Sequence, residues 1–468
     1  MRRVQHIVGG LLAVLLLTKC ATYYQKSYKF QQNFSSGNLE QAKAFLEHNK
    51  KAEDKKDRLL YFFDRGVVEQ MLGNYEESNV YFEKAYIFSQ DFRKSFADDV
   101  MTFIANPMLK PYEGEDFELV LLHFYKAINF IHLEDLDAAL IEARRINVKL
   151  NEINDKYEHK KNRYKEDAFA HQLMGLIYEA KGDDNNAFIA YRNAFDVYND
   201  LYTEQFRLSH PLQLKKDLLR SAYRNKFKAE LSQYEDQFDM TYKTDTANSG
   251  SFVFFWLNGL GPVKGEFSLN LSKFQGAGGF LTFANEQEGF SIPYTENSSY
   301  YSTDPSEFSD LKFVRLTIPK YNKRMPLLNH GFIEVNNSQF ALEKVEDVEA
   351  IAVSTLQDRM LREISKSIGR LALKQATELA AREENENLGT LVSFVNAVTE
   401  KADTRNWQTL PSSIYYQRLS LPEGNHTINF ISKGANLPSD TVRFTVNIVR
   451  GKTVFRTYHS LESGPPVP

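Results

Sequence analysis

The hydrophobic pattern changes period once along the chain. From residue 21 to about 240, apolar residues recur at three-to-four spacing between short glycine or Asn/Asp turns, which predicts helices. From residue 251 the texture switches to short strands. Ser251–Leu257 is a continuous apolar run, Phe267, Leu269 and Leu271 alternate, and Leu311–Ile318 is another candidate. Val442, Phe444, Val446 and Ile448 alternate strictly, and Arg450-Gly451 then turns into Thr453–Tyr458, so this pair reads as a hairpin. Among the strands, Val345–Arg382 predicts one long helix, continued by Leu388–Lys401, with Val353, Leu356, Met360, Ile364, Ile368, Leu371 and Leu379 as its apolar stripe. Thr244–Gly250 is small and polar and reads as a linker, where limited proteolysis would leave two folded pieces.

Within the helical region a frame recurs. One copy has Gly66, then Gly73-Asn74-Tyr75, Ser78, Phe82 and Ala85; another has Gly175, Tyr178, Gly182, Ala187, Tyr191 and Ala194. A third keeps Ala127, Phe130, Leu136, Ala139 and Ala143 but falls out of phase, and a fourth keeps Gly37, Leu39, Ala42 and Leu46. The frame resembles the tetratricopeptide repeat (TPR), a helix–turn–helix unit of 34 residues. Small residues sit where paired helices cross, and Gly73 and Gly182 end first helices where φ > 0 is needed. Insertions around Phe92–Glu115 and Tyr157–Glu166 are expected to bulge from the stack, and a helix over Gln213–Gln237 to cap it. Such arrays bind partners in a groove lined by first helices. The polar positions Arg65, Glu69, Lys126, Asn129, His171 and Gln172 are then candidates to face a partner protein.

The N-terminus reads as an address. Arg2 and Arg3 precede the eleven apolar residues Ile7–Leu17, too few to span a bilayer, which takes about 20. Leu17-Thr18-Lys19-Cys20 follows and holds the one cysteine of the chain. It resembles the lipobox of bacterial lipoproteins, with Lys19 where that motif has a small residue. The resemblance implies a signal peptide over residues 1–19, lipidation at Cys20 and membrane anchoring by acyl chains. Ala21 is not the acidic residue that retains lipoproteins at the inner membrane in enteric bacteria, so the outer membrane, periplasmic side, is the expected location, with surface exposure left open.

Two further segments carry a wider resemblance. Asn258-Gly259-Leu260-Gly261-Pro262-Val263-Lys264 follows the first strand, and Ala402-Asp403-Thr404-Arg405-Asn406-Trp407-Gln408-Thr409-Leu410-Pro411 precedes Ile414 and Arg418. Together with the anchor and the repeats they resemble an uncharacterised family of bacterial TPR lipoproteins. That resemblance implies no activity; some members are encoded beside lipoproteins that activate cell-wall synthases. Physically, Gly259–Lys264 is a tight turn with a lysine at its exit. Arg405 has Asp403 to pair with or Trp407 to stack on. Lys264, Asp403, Arg405 and Trp407 are therefore a candidate notch in the C-terminal region, weighed against a buried pair joining helix to sheet.

Composition narrows the chemistry. Lysine and arginine number 57 against 61 acids, a net charge of -4, which gives no case for nucleic-acid binding. Arg362, Lys366, Arg370 and Lys374 recur every four residues, an anion-binding strip or, more simply, a solvated helix face. Gly451-Lys452-Thr453 lacks the upstream glycine of a phosphate loop, the histidines form no HExxH, and no serine sits in a G-x-S-x-G elbow. No catalytic, metal or cofactor site is expected. The fold expectation is multidomain: a signal peptide (1–19), an all-α TPR-like solenoid (20–243), a linker (244–250) and an α+β domain of mainly antiparallel strands with a long helix (251–468). The functional expectation is a non-enzymatic adaptor docking another envelope protein. A glycan- or peptide-binding accessory protein is the alternative, and a cell-wall hydrolase a third.

Overall fold

The computed structural model describes residues 23–95, 108, 110–155, 162–244, 248–275, 281–285, 290–294, 313–360, 364, 402–435 and 438–467. Cys20, the basic strip from Arg362 and the helix beyond residue 364 lie outside the described residues. Helices pair in sequence order: α1 (Tyr28–Ser35) with α2 (Leu39–His48), α3 (Arg58–Met71) with α4 (Tyr75–Ser95), α5 (Asp116–His132) with α6 (Leu136–Asn154), α7 (Ala168–Ala180) with α8 (Asp184–Val197), and α9 (Leu212–Arg224) with α10 (Lys228–Phe238).

The same turn closes every pair. Its left-handed residue is Gly37 (φ 72°), Gly73 (82°), Glu134 (61°), Gly182 (79°) or Lys226 (60°). The following N–H reaches back five residues in each case: Asn38 to Asn33, Asn74 to Glu69, Asp135 to Phe130, Asp183 to Tyr178 and Phe227 to Ala222, at 2.9–3.0 Å. This is a Schellman closure, which satisfies carbonyls at the end of the first helix. Glycine marks only three of these turns. Glu134 and Lys226 accept the left-handed strain (about 1–2 kcal/mol each), so the third copy lacks its glycine mark and the fifth pair reads as a single helix. The single capping helix expected over Gln213–Gln237 is instead the fifth pair, α9 and α10.

Within a pair, volume is exchanged across the crossing. A Cβ on Gly66 would stand 2.4 Å from the Phe82 ring, and one on Gly175 2.4 Å from the Tyr191 ring. In α5 and α6 the equivalent residues are Ala127 and Ala143, both fully buried. The described ends of the two insertions do not bulge. Tyr112 is buried and its N–H bonds the Lys56 carbonyl at 2.8 Å, while buried Tyr164 donates to Asp167 at 2.6 Å.

Twelve strands follow among the described residues: β1 (Ser249–Asn258), β2 (Val263–Gln275), β3 (Leu281–Asn285), β4 (Phe290–Tyr294), β5 (Phe313–Asn322), β6 (His330–Val335), β7 (Ser338–Ala341), β8 (Glu343–Glu346), β9 (Ser413–Pro422), β10 (Gly424–Lys433), β11 (Asp440–Ile448) and β12 (Thr453–Ser460). They form three sheets, ordered β12-β1-β9-β8, β11-β10-β6-β7 and β4-β3-β2-β5. All pairs are antiparallel except β1 with β12. The expected hairpin of β11 and β12 is absent: the turn at Gly451 carries the chain from the second sheet to the first. Alternation marks a strand with one buried face but does not name its neighbour. Val345, expected to start the long helix, lies in β8, and the helix described here runs over 348–360.

β1 explains the architecture. Successive side chains point to opposite faces, and both faces are covered. Val253, Phe255 and Leu257 join the core of the helical pairs, whereas Phe252, Phe254 and Trp256 join a second core with Ile333, Ile428, Phe430 and Val446 of the next sheet. Helices, first sheet and second sheet therefore stack as layers, with β1 in the middle. The texture change near residue 244 marks a change of secondary structure rather than of core, so two separately packed pieces are not what the chain builds.

Candidate functional site

The groove expected on the first helices is occupied by the chain itself. Phe63 of α3 stacks on Trp407 at 4.1 Å, and Asp64 accepts from Thr409 at 3.0 Å. Tyr125 of α5 lies 6.4 Å from the His459 ring of β12, and Phe169 of α7 meets Phe255 of β1 edge-on at 5.8 Å. Asp217 of α9 accepts from Tyr416 of β9 at 2.7 Å. The face that receives a partner in a free repeat array is covered by the first sheet and the 402–411 segment.

The six groove candidates are consequently misplaced. Arg65 is buried between Glu47 (3.0 Å) and Glu69 (2.6 Å) beneath the Tyr81 ring, and Glu69 also accepts from Lys43 and Asn74. Lys126 is buried against Glu83 and Glu142, and Asn129 bonds Ser78, Asn79 and Gln70. Gln172 is fully buried, and half-buried His171 has its pKa drawn down to about 4 by burial. Arg65, Glu69, Lys126 and Asn129 lie where consecutive pairs stack, and their polar groups join hairpin to hairpin, whereas the buried Gln172 amide has no hydrogen-bond partner. Sequence spacing tells which residues leave the pair interior but not which flank meets a neighbour.

The C-terminal candidates form a buried joint rather than an open notch. Lys264 is buried in an ion pair with Glu115, which Arg359 also reaches. Arg405 grips Asp403 with two donors, at 2.9 and 2.7 Å, and also bonds Asp57 and the Lys110 carbonyl. Burial pushes the Asp403 carboxyl up, but the Arg405 hydrogen bonds and charge outweigh it and hold it below its ordinary value. Trp407 stacks not on Arg405 but on Phe63, with its backbone N–H on Glu118 at 2.6 Å and its indole N–H on Thr409 at 2.8 Å. Burial raises Asp64 to about 8, and burial with nearby Glu115 raises Glu118 to about 7. The structural reading of this motif prevails over the ligand notch.

A second buried lattice carries no sequence signature beyond Arg418. The Glu179 carboxylate of α7 accepts from Arg220 and Arg224 of α9, from Arg418 of β9 at 2.5 and 2.8 Å, and from Tyr191 at 2.9 Å. Arg220 also bonds Asp217 at 2.5 Å. The lattice ties two hairpins to the first sheet across more than two hundred residues of sequence. Beside it opens a cleft of about 400 Å³, whose wall includes Gln213, Arg220, Gln417 and Arg418, with the exposed Lys216 and Lys243 at its edge.

No protein-family model and no curated protein matches the chain. Several solved structures are similar at low identity. MamA is 11% identical with a TM-score of 0.29, over 44% of this chain and 90% of that one. The TPR-like repeats of a Podosopora anserina kinesin light chain are 13% identical with a TM-score of 0.30, over 46% and 91%. BtubC from P. vanneervenii is 10% identical with a TM-score of 0.33, over 48% and 84%. The repeat assignment rests on the hairpin geometry above. The helical half is a TPR-like array. The first sheet is seated on its groove face.

Proposed function

We propose that this protein is an exported lipoprotein, anchored at Cys20 in the outer membrane and facing the periplasm, that works as a non-enzymatic adaptor between envelope proteins. With the groove face taken, docking falls to the outer helices. The observation that carries this reading is a row of aliphatic side chains. Val80, Ile141 and Ile189 each stand five residues after the start of α4, α6 and α8, the same repeat position, and are 47%, 51% and 38% exposed. Ile87 and Val148, two turns further along α4 and α6, extend it into a second row. Isolated exposed aliphatics are ordinary on any surface. Recurrence at one repeat position on three consecutive hairpins gives an apolar ridge, the kind of feature that marks a protein interface.

A combined Val80→Lys, Ile141→Lys and Ile189→Lys variant should keep its stability within about 0.5 kcal/mol per site. It should lose its partner in co-purification from solubilised envelopes followed by mass spectrometry. Partner recovery equal to wild type would remove the outer helices from the interface. The anchor is tested separately: intact mass should show a diacylglyceryl group on the mature chain, and Cys20→Ser should release the protein from the membrane fraction. An unmodified wild-type mass would sink the lipoprotein reading while leaving the adaptor reading standing.

A further inference from the structure

Five arginines of the described chain are buried: Arg65, Arg220, Arg324, Arg405 and Arg418. Four of them meet carboxylates: Arg65 has Glu47 and Glu69, Arg220 and Arg418 share Glu179, and Arg405 has Asp57 and Asp403. Arg324 is different. Its Nε donates to the Gly261 carbonyl at 2.6 Å and its Nη2 to the Gln408 carbonyl. Among the described residues no carboxylate reaches it. A buried cation without an acid is costly, and burial draws this guanidinium down to about 10.

Arg324 lines a cavity of about 190 Å³ between α1 and the C-terminal tail, and Gln31 of α1 lines the same cavity. Gln31 is 3% exposed, and neither its amide nitrogen nor its amide oxygen has a hydrogen-bond partner. Leaving both ends of a buried amide unmade is expensive, about 1–3 kcal/mol for each group. Tyr24, Tyr28 and Ser463 add hydroxyls to the lining. The tail is fixed in place: Leu260 N–H donates to the Ser463 hydroxyl at 2.8 Å, and Gly464 N–H to the Met325 carbonyl at 2.9 Å. An uncompensated cation and an unsatisfied amide, from segments nearly three hundred residues apart, thus share one small cavity with walls already built.

We propose that this cavity binds a small carboxylate that also carries a hydrogen-bond donor, an amide N–H or a hydroxyl, as at the C-terminal residue of a peptide or in a hydroxy acid. Arg324 supplies one positive charge, which matches one carboxylate; a dianionic phosphate would leave a charge unmatched. The guanidinium keeps donors beyond those spent on the two carbonyls. The Gln31 amide nitrogen can donate to a carboxylate oxygen, and its amide oxygen, to which no lining hydroxyl donates, takes a donor on the ligand. The volume equals that of about six waters at ~30 Å³ each, enough for the acid end of a ligand and its first polar substituent.

Isothermal titration of the full chain in detergent tests this, using N-acetylglycine, lactate, acetate and inorganic phosphate as probes. N-acetylglycine or lactate should bind saturably, with acetate and phosphate at least about tenfold weaker, or about 1.4 kcal/mol. Gln31→Leu should reduce N-acetylglycine to the acetate level, and Arg324→Gln should abolish binding of every probe. Should Arg324→Gln fail to fold, Gln31→Leu decides alone, because it removes an unsatisfied amide without opening the core. Phosphate binding tighter than the carboxylates, acetate matching N-acetylglycine, unchanged binding in Gln31→Leu, or no saturable binding by wild type would each overturn the proposal. None of these results bears on the outer-helix interface.

Discussion

Glu179→Gln is expected to destabilise the fold by about 3–5 kcal/mol at pH 7, the range for breaking a buried ion pair from one side. The carboxylate sits among Arg220, Arg224 and Arg418. A glutamine keeps the shape but turns an NH₂ toward guanidinium donors and leaves Asp217 as the one buried acid facing them. The pH dependence separates this from a packing effect. Burial alone would push the Glu179 carboxyl up, but Arg220 and Arg418 hold it well below its ordinary 4.5. A depressed carboxyl contributes stability that is present above pH 4.5 and is lost as pH falls toward the folded value. Urea unfolding followed by circular dichroism should therefore show wild type losing stability below pH 4.5 and the variant losing less. Adding Arg418→Met should recover part of the deficit, because one uncompensated cation goes with it. A loss below about 1 kcal/mol at pH 7 would mean that the lattice is solvated and not a structural tie.

The repeats were legible in the sequence because their physics is local. Small residues at a helix crossing and a left-handed turn residue leave marks at fixed offsets, as at Gly66, Gly73, Gly175 and Gly182. They faded where another residue takes the glycine's place, at Glu134 and Lys226, or where two alanines share the volume of a glycine and an aromatic, at Ala127 and Ala143. The strands β1, β2, β5, β11 and β12 were legible for the same reason, since an apolar run or alternation is also local, whereas β3, β4 and β6 to β10 were not read. Partnership was not. Nothing in Val442–Tyr458 says that β12 leaves its sequence neighbour to lie parallel to β1. The continuous apolar run of β1 did carry a hint, because a strand without polar alternation is covered on both faces. Its second cover is the helical array, which also explains why the groove candidates failed. The polar residues chosen for a partner were chosen as if the array stood alone.

Trp407→Ala tests that last point directly and should cost about 3–5 kcal/mol, as for other buried aromatics truncated to alanine. Trp407 is the centre of the joint between array and sheet. Its ring lies parallel to Phe63, with Tyr125 at 5.4 Å and Phe82 at 5.9 Å, so it touches the first helices of two hairpins and the second helix of one. Removing it opens a void against α3, α4 and α5 and frees Thr409 from the indole N–H, loosening the hydroxyl that serves Asp64. Trp407→Phe should cost less, since a ring remains to stack on Phe63 while the hydrogen bond to Thr409 is lost. Chemical denaturation should show one shifted transition for helical and strand signals together, because both layers share this core. A Trp407→Ala protein of wild-type stability would restore the ligand-notch reading of the 402–411 segment. Two transitions, with the helical signal unmoved, would instead give the array a core of its own and leave the sheet as a separable occupant of its groove.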